Sequence, residues 1–424
     1  FTITKAASTT TVTCAPTSVT YTGTAHQVCT ASVTGAGGLT TTAAVSYDDN
    51  VNAGTVTASA AYDGDGNHDG SSDTATFEIA KAPSTTVVSC SGDQVYTGSA
   101  VETCSVSVTG DGGLNEAPAA TYANNVSVGT ATASYSYAGD ANHEPSSDSE
   151  AFSITKKSAI VTPMAAGKTY GEADPSLTGT ITGFVPTDNV TAVYSRNAGE
   201  AAGDYTISAT LSPAAVLSNY DITYDTAVFT IGKAVLTVKA GNQAKLLGAP
   251  DPALTYTVTG LQFSDTAAGV LSGALTRDPG EAVGSYTIRQ GALAPNANYT
   301  VSFTTGTLTV GYGTCLLYDP TKPVKSGAGI PLKIRLCSAS GANVSASNIV
   351  VAAVSLQMIS TSTSSQVEDA GNSNADSNFR FDPTLGPGYI FNLKTTGLPE
   401  GTYRLEIRMT GDPSPSYVTF QVRQ

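Results

Sequence analysis

The chain has 424 residues, of which 13% are charged and 40% hydrophobic, with 42 Gly, 20 Pro and no Trp. It is too long for one small domain, and its Gly and Pro content disfavours long helices. The net charge of −14, from 34 acidic and 20 basic residues, argues against nucleic acid, which needs clustered Lys and Arg, and against anionic lipid surfaces. No run of 18 apolar residues occurs, so no membrane span is expected.

Residues 1–6, FTITKA, alternate apolar and polar side chains, the period of a strand with one buried face. The same pattern returns as FEIAKA (77–82) and FSITKK (152–157), each time closing a repeat. The first six residues therefore read as a closing strand without its domain. They are either the end of an upstream repeat in a trimmed or processed chain, or a donor strand. In the second reading Phe1, Thr2, Ile3 and Thr4 add to the sheet of a neighbouring molecule.

Two repeats follow, 7–81 and 82–157. STTTVTC (8–14), TYTGTAHQVC (20–29) and YDGDGNHDGSSD (62–73) in the first match STTVVSC (84–90), VYTGSAVETC (95–104) and YAGDANHEPSSD (137–148) in the second. A second pair spans 158–233 and 234–312. YGEADPSLTGTITGF (170–184) and NYDITYDTAVFTIGKA (219–234) answer LGAPDPALTYTVTGL (247–261) and NYTVSFTTGTLTV (298–310). Residues 313–424 form a fifth, different unit. It holds Tyr403, Leu405, Ile407 and Met409 against Arg404, Glu406 and Arg408, then Val418, Phe420 and Val422. Short strands at regular spacing with Gly-rich turns predict an all-β chain of five tandem sandwiches. Connectors of a few residues predict a semi-rigid, extended rod.

The six cysteines fall into close pairs: Cys14 with Cys29, Cys90 with Cys104, and Cys315 with Cys337. No CxxC occurs, and only His26, His68 and His143 could join them at a metal. Disulfides are the better reading, and they imply an oxidising, extracellular compartment.

Asp63, Asp65, Asn67 and Asp69 have the alternating oxygens of a calcium loop. The series fails at its sixth position, His68, and its twelfth, Thr74, and the second repeat has Ala138 at its start. A polar hairpin turn explains these residues, and no metal or cofactor is expected. His68 and His143 are read as surface turn residues. Lys5, Lys81, Lys156 and Lys233 recur after the closing strands and are read as solvated. No Gly-x-Ser-x-Gly elbow or facing carboxylate pair is present, so no enzyme is expected. Asn125, Asn189, Asn298 and Asn343 lie in Asn-x-Ser/Thr triplets that permit glycosylation.

With these motifs in place, the first two repeats resemble bacterial Ig-like repeats, through Tyr62-Asp63-Gly64-Asp65-Gly66-Asn67 and Tyr137-Ala138-Gly139-Asp140-Ala141-Asn142. The second pair resembles MBG (mostly beta, glycine-rich) repeats, through Asp174-Pro175 and Asp251-Pro252, Gly199-Glu200 and Gly280-Glu281, and Asn219-Tyr220 and Asn298-Tyr299. The last unit resembles the PxKF domain through Tyr318-Asp319-Pro320 and Pro331-Leu332-Lys333-Ile334, with Ile334 where Phe is expected. The resemblances imply Ig-like sandwiches of a secreted or surface-attached bacterial protein. The expected function is structural, a stalk or filament subunit whose partners are copies of itself or other surface components. The alternative is an adhesin that recognises a glycan or protein through loops of the last unit, above all the polar stretch 360–378.

Overall fold

The computed structural model describes residues 1–360, 364–365, 367 and 376–424. The chain is 54% strand and 5% helix. It divides into two compact units. The first comprises Phe1–Ala165, Leu177–Arg196 and Thr206–Ala227, and the second Ala166–Ser176, Asn197–Tyr205 and Val228–Gln424.

In the first unit, repeat 1 is a three-stranded sheet facing a four-stranded one. The first has the order Ser8–Cys14, Cys29–Gly35, Leu39–Ala43. The second has the order Ser18–Thr20, Ser71–Ala80, Gly54–Tyr62, Ser46–Tyr47. Alternation builds the core: Val56, Ala58 and Ala60 point inward from one strand, Phe77 and Ile79 from the next, and Val12 and Ala31 face them from the other sheet. Repeat 2 copies the plan, with Val88 and Val106 packed against Ala131, Ala133, Phe152 and Ile154. Among the described residues, no strand pairs with the outer edge of each first strand. Carboxylates take its amides instead: Val12 N–H donates to Asp73 at 2.8 Å, Val88 N–H to Asp148 at 2.8 Å and Cys90 N–H to Glu150 at 2.7 Å. Such charged acceptors satisfy an edge that would otherwise invite another strand.

The rest of the first unit is wired differently. Lys157–Pro163 runs antiparallel to Gly179–Thr182 and parallel to Tyr220–Tyr224, so a strand fills the edge that carboxylates hold in repeats 1 and 2.

In the second unit, Ala166–Thr169 runs parallel to Ala227–Gly232. Repeat 4 places Ala234–Ala240 between Tyr256–Thr259 and Tyr299–Thr304, and its other sheet has the order Gln243–Leu246, Gly306–Gly311, Gly284–Arg289, Thr276–Arg277. The last repeat has a four-stranded sheet and a five-stranded sheet around a core that includes Leu332, Phe391, Tyr389, Tyr403, Leu405 and Phe420.

The three disulfides tie neighbouring strands within one sheet. Cys14 lies directly across from Cys29 and Cys90 from Cys104, with Cα atoms 3.9 and 4.0 Å apart. Cys315 and Cys337 join adjacent strands with Cα atoms 6.1 Å apart.

Candidate functional site: the joints between repeats

The most elaborate side-chain chemistry lies where one repeat meets the next. Each joint begins with a tyrosine pinned to the end of its own closing strand. Tyr21 N–H donates to the Ala80 carbonyl at 2.9 Å, Tyr96 to Thr155 at 2.9 Å and Tyr170 to Gly232 at 2.8 Å. The following repeat supplies an Asn-aromatic pair: Asn142-His143, Asn219-Tyr220 and Asn298-Tyr299. Ring centroids meet edge to face at 5.4 Å (Tyr21–His143), 5.5 Å (Tyr96–Tyr220) and 5.2 Å (Tyr170–Tyr299). Each Asn Oδ1 accepts one amide across the joint, from Ala53 at 2.9 Å, Val128 at 3.0 Å and Ala202 at 2.9 Å. A favourable ring pair adds about 0.5–1.5 kcal/mol beyond its buried area.

Two joints add a carboxylate shared by both tyrosines. Tyr96 donates its hydroxyl to Asp188 at 3.0 Å, and Tyr220 donates to the same carboxylate. Tyr170 and Tyr299 donate to Asp265 at 3.1 and 2.6 Å. Burial, reinforced by the aspartate, pushes the Tyr220 and Tyr299 hydroxyls up to about 12. In the first joint a histidine takes the tyrosine's place. Nδ1 of His143 lies 3.0 Å from the Asp140 carboxylate and Nε2 lies 2.7 Å from the Asp111 carbonyl. Both partners are acceptors, so only the doubly protonated ring satisfies both. Burial pulls the His143 pKa down, but these two bonds outweigh it and leave it raised.

Close approach requires glycine beside each joint tyrosine. Gly23, Gly98 and Gly171 have φ of +76°, +78° and +96°. A Cβ there would stand 2.6 Å from Gly112 Cα, 2.8 Å from Val185 Cγ1 and 2.2 Å from Gln262 Oε1. The linker is tied down as well. Ala82 N–H donates to the Asn142 carbonyl at 2.9 Å, the Ala82 carbonyl accepts from Glu144 N–H at 2.8 Å, and Ala234 N–H donates to the Asn298 carbonyl at 3.0 Å.

A second constellation lies in repeats 3 and 4. Nζ of Lys168 contacts Asp174 at 2.8 Å and also Glu200. Nζ of Lys245 contacts Asp251 at 2.6 Å and also Glu281, and Arg277 bonds Asp251 at 2.7 Å. The lysine side chains are 4% and 3% exposed. The Asp-Pro and Gly-Glu features of the sequence thus serve as counterions for one buried ammonium in each repeat. Neither lysine stood out in the sequence, because a lone Lys within a strand carries no repeat signal of its own.

The residues singled out from the sequence sit as follows. Phe1 and Ile3 project into solvent, while Ala6 exchanges backbone bonds with Asn67 and Asp69 at 2.8 and 2.9 Å. Asp65 turns its carboxylate onto its own hairpin, accepting the Asn67 and His68 amides at 2.7 and 2.8 Å and the Tyr62 hydroxyl at 2.9 Å. Asp69 uses its backbone, accepting from the Ser8 hydroxyl at 2.6 Å. Among the described residues, no group of three or more His, Cys, Asp or Glu could hold a metal ion, and no helix is long and apolar enough to cross a membrane. Lys5, Lys81, Lys156 and Lys233 are exposed. His143 corrects the surface-turn reading: it is 4% exposed, because repeat 1 covers it. Asn298 is half-buried and engaged in a joint, whereas Asn189 and Asn343 are exposed. Most of 361–375, the core of the polar stretch 360–378, lies outside the described residues.

Every repeat keeps its own closing strand. Ser71–Ala80 pairs with Gly54–Tyr62, Ser146–Thr155 with Gly129–Tyr137, Ala227–Gly232 with Ala166–Thr169, Gly306–Gly311 with Gly284–Arg289, and Ser416–Arg423 with Gly401–Met409.

The two repeats that share the buried lysine, the Asp-Pro turn and the Tyr–Asp–Tyr joint carry a family signature. Residues 159–230 and 236–309 each match the MBG domain (YGX type). Tyr170-Gly171 of the third joint lies in the first matched segment, and Asp265 and Tyr299 lie in the second. No curated protein matches the chain. Similar solved structures include Drosophila OTK extracellular domains 3–5, at 11% identity over 62% of this chain and 97% of that one, with a TM-score of 0.24. They also include domains 4–9 of the surface layer protein SbsC, at 12% identity over 98% of this chain and 81% of that one, with a TM-score of 0.18.

Proposed function

We propose that the chain is a structural segment of an extracellular or surface protein, a series of Ig-like and MBG sandwiches whose joints hold successive domains at fixed angles. The observation that carries this reading is the threefold recurrence of one joint: a Tyr ring on an Asn-anchored aromatic, with a glycine at the contact. A chain of loosely strung binding modules has no use for such a costly burial of tyrosine hydroxyls between domains. The three disulfides support an oxidising, extracellular setting. Phe1–Thr4 acts as a closing strand for a sandwich outside this chain, since each repeat here is already closed. The recognition stretch of the adhesin alternative lies mostly outside the described residues.

Small-angle scattering of the full chain tests the reading. A spacer gives an elongated particle, and replacing Asp188 and Asp265 by Ala broadens its distance distribution towards flexible, shorter forms. A compact wild-type particle, or one whose profile ignores both substitutions, overturns the proposal.

A further inference from the structure

Repeat 1 carries a fourth copy of the Asn-aromatic half of a joint, and none of the described residues covers it as repeat 1 covers His143. Asn67-His68 is built as Asn142-His143 is. His68 Nδ1 lies 3.0 Å from the Asp65 carboxylate, as His143 Nδ1 does from Asp140, and His68 Nε2 lies 2.9 Å from the Ala36 carbonyl, as His143 Nε2 does from Asp111 at 2.7 Å. The linker is pinned alike, with Ala6 bridged in parallel to His68 as Ala82 is to His143. The difference is in covering. His143 is buried and Asn142 half-buried, whereas His68 is half-buried and Asn67 exposed.

Beside this face run Phe1 and Ile3, in the register of Phe77 and Ile79. The latter pair is 2% and 1% exposed, while Phe1 and Ile3 are fully exposed. Among the described residues the tyrosine halves are all engaged. Tyr21, Tyr96 and Tyr170 each face a following repeat, and Leu247 stands at the corresponding place in repeat 4. A second copy therefore has no tyrosine half to offer.

We infer that the Asn67–His68 face is the receiving half of a further joint. Its occupant is an Ig-like sandwich that lacks its own closing strand, presents a Tyr-x-Gly turn and a free backbone amide, and is completed by Phe1–Thr4. The inference rests on the reading of Phe1–Thr4 as a closing strand. It adds a face that recognises the sandwich by ring contact and an Asn-to-amide bond, apart from the strand itself.

The test places a copy of residues 7–76 directly before Phe1 of the full chain, so that Phe1–Thr4 falls where Phe77–Ala80 falls. The added sandwich supplies its own Tyr-x-Gly turn. The expected result is a cooperatively folded addition, an upfield shift of the His68 ring protons towards those of His143, and slowed amide exchange at Ala6 and Asp69. Asn67→Ala with His68→Ala then removes the slowing at Ala6 and Asp69 and leaves the addition folded. Phe1→Ser with Ile3→Ser instead unfolds the addition, which reports on the strand alone. An addition that folds with His68 unchanged overturns the joint and spares the strand. An addition that fails to fold before the unmodified face overturns both. Dimers of the unextended chain that Asn67→Ala abolishes would make a second copy the occupant, and would also overturn the inference.

Discussion

Tyr96 and Tyr220 come from successive repeats, meet edge to face at 5.5 Å between ring centroids, and donate their hydroxyls to one carboxylate, Asp188. The arrangement recurs with Tyr170, Tyr299 and Asp265. An acceptor with two buried donors fixes position and rotation together, which a hydrophobic contact alone does not.

Asp188→Ala leaves two largely buried hydroxyls without their acceptor. Such a loss costs about 1–3 kcal/mol per unsatisfied group. Denaturant unfolding should show destabilisation of repeat 2 and its neighbour. Tyr96→Phe in the Asp188→Ala background should add little, because the partner is already gone. Full additivity in that double-mutant cycle would mean that the two groups do not interact.

Alkali should loosen the same joint. The folded pKa of Tyr220 is raised to about 12, above its ordinary value of 10.0, chiefly by burial and then by Asp188. A group raised on folding stabilises fully below its unfolded pKa and loses that contribution as pH rises through the folded one. Stability should therefore fall between pH values of about 10 and 12, and the fall should shrink in Tyr220→Phe. Ultraviolet titration of tyrosinate with parallel thermal unfolding measures both.

The histidine joint should respond nearer neutrality. The folded pKa of His143 is raised: burial lowers it, but the Asp111 carbonyl and Asp140 carboxylate prevail. Its stabilisation is complete below the unfolded value near 6.5 and is lost as pH rises through the folded value. Melting of repeats 1 and 2 should decline from pH 6.5 upward. His143→Phe, which keeps the ring contact with Tyr21, should flatten that limb of the curve.

Gly23→Ala places a Cβ 2.6 Å from Gly112 Cα at a residue whose φ is +76°. The left-handed conformation alone costs about 1–2 kcal/mol for a residue with a side chain. The expected readout is a lower melting temperature and faster amide exchange at Ala53. The same change at Gly37, where the site is open and φ is +73°, should show only the conformational part. Equal effects at both positions would remove the contact from the explanation.

Acid should act on repeat 4. Hydrogen bonds from Arg277 and then Lys245 lower the Asp251 pKa to about 2. A carboxyl depressed on folding stabilises above its unfolded pKa, near 3.8, and loses that contribution as pH falls through the folded value. Unfolding of repeat 4 monitored between pH values of about 4 and 2 should show this loss, and Asp251→Asn should remove it while lowering stability at neutral pH.

By itself the sequence determined the strands and their faces. Period-2 alternation decides which side chain points inward wherever one side of a sheet is buried, and Phe77, Ile79, Leu405 and Ile407 occupy the core for that reason. It also showed Tyr-Thr-Gly recurring in repeats 1 and 2 and Asn-Tyr in repeats 3 and 4. Only tertiary structure decided what they are for. Tyr96 and Asp188 lie 92 residues apart, and nothing in local spacing says that one repeat ends where the other begins. The burial of His143 was hidden for the same reason, and the buried charge of Lys245 because its counterions Asp251 and Glu281 come from other turns of repeat 4. Local propensity fixes a strand's faces, whereas contacts across a joint depend on how two separately folded surfaces meet.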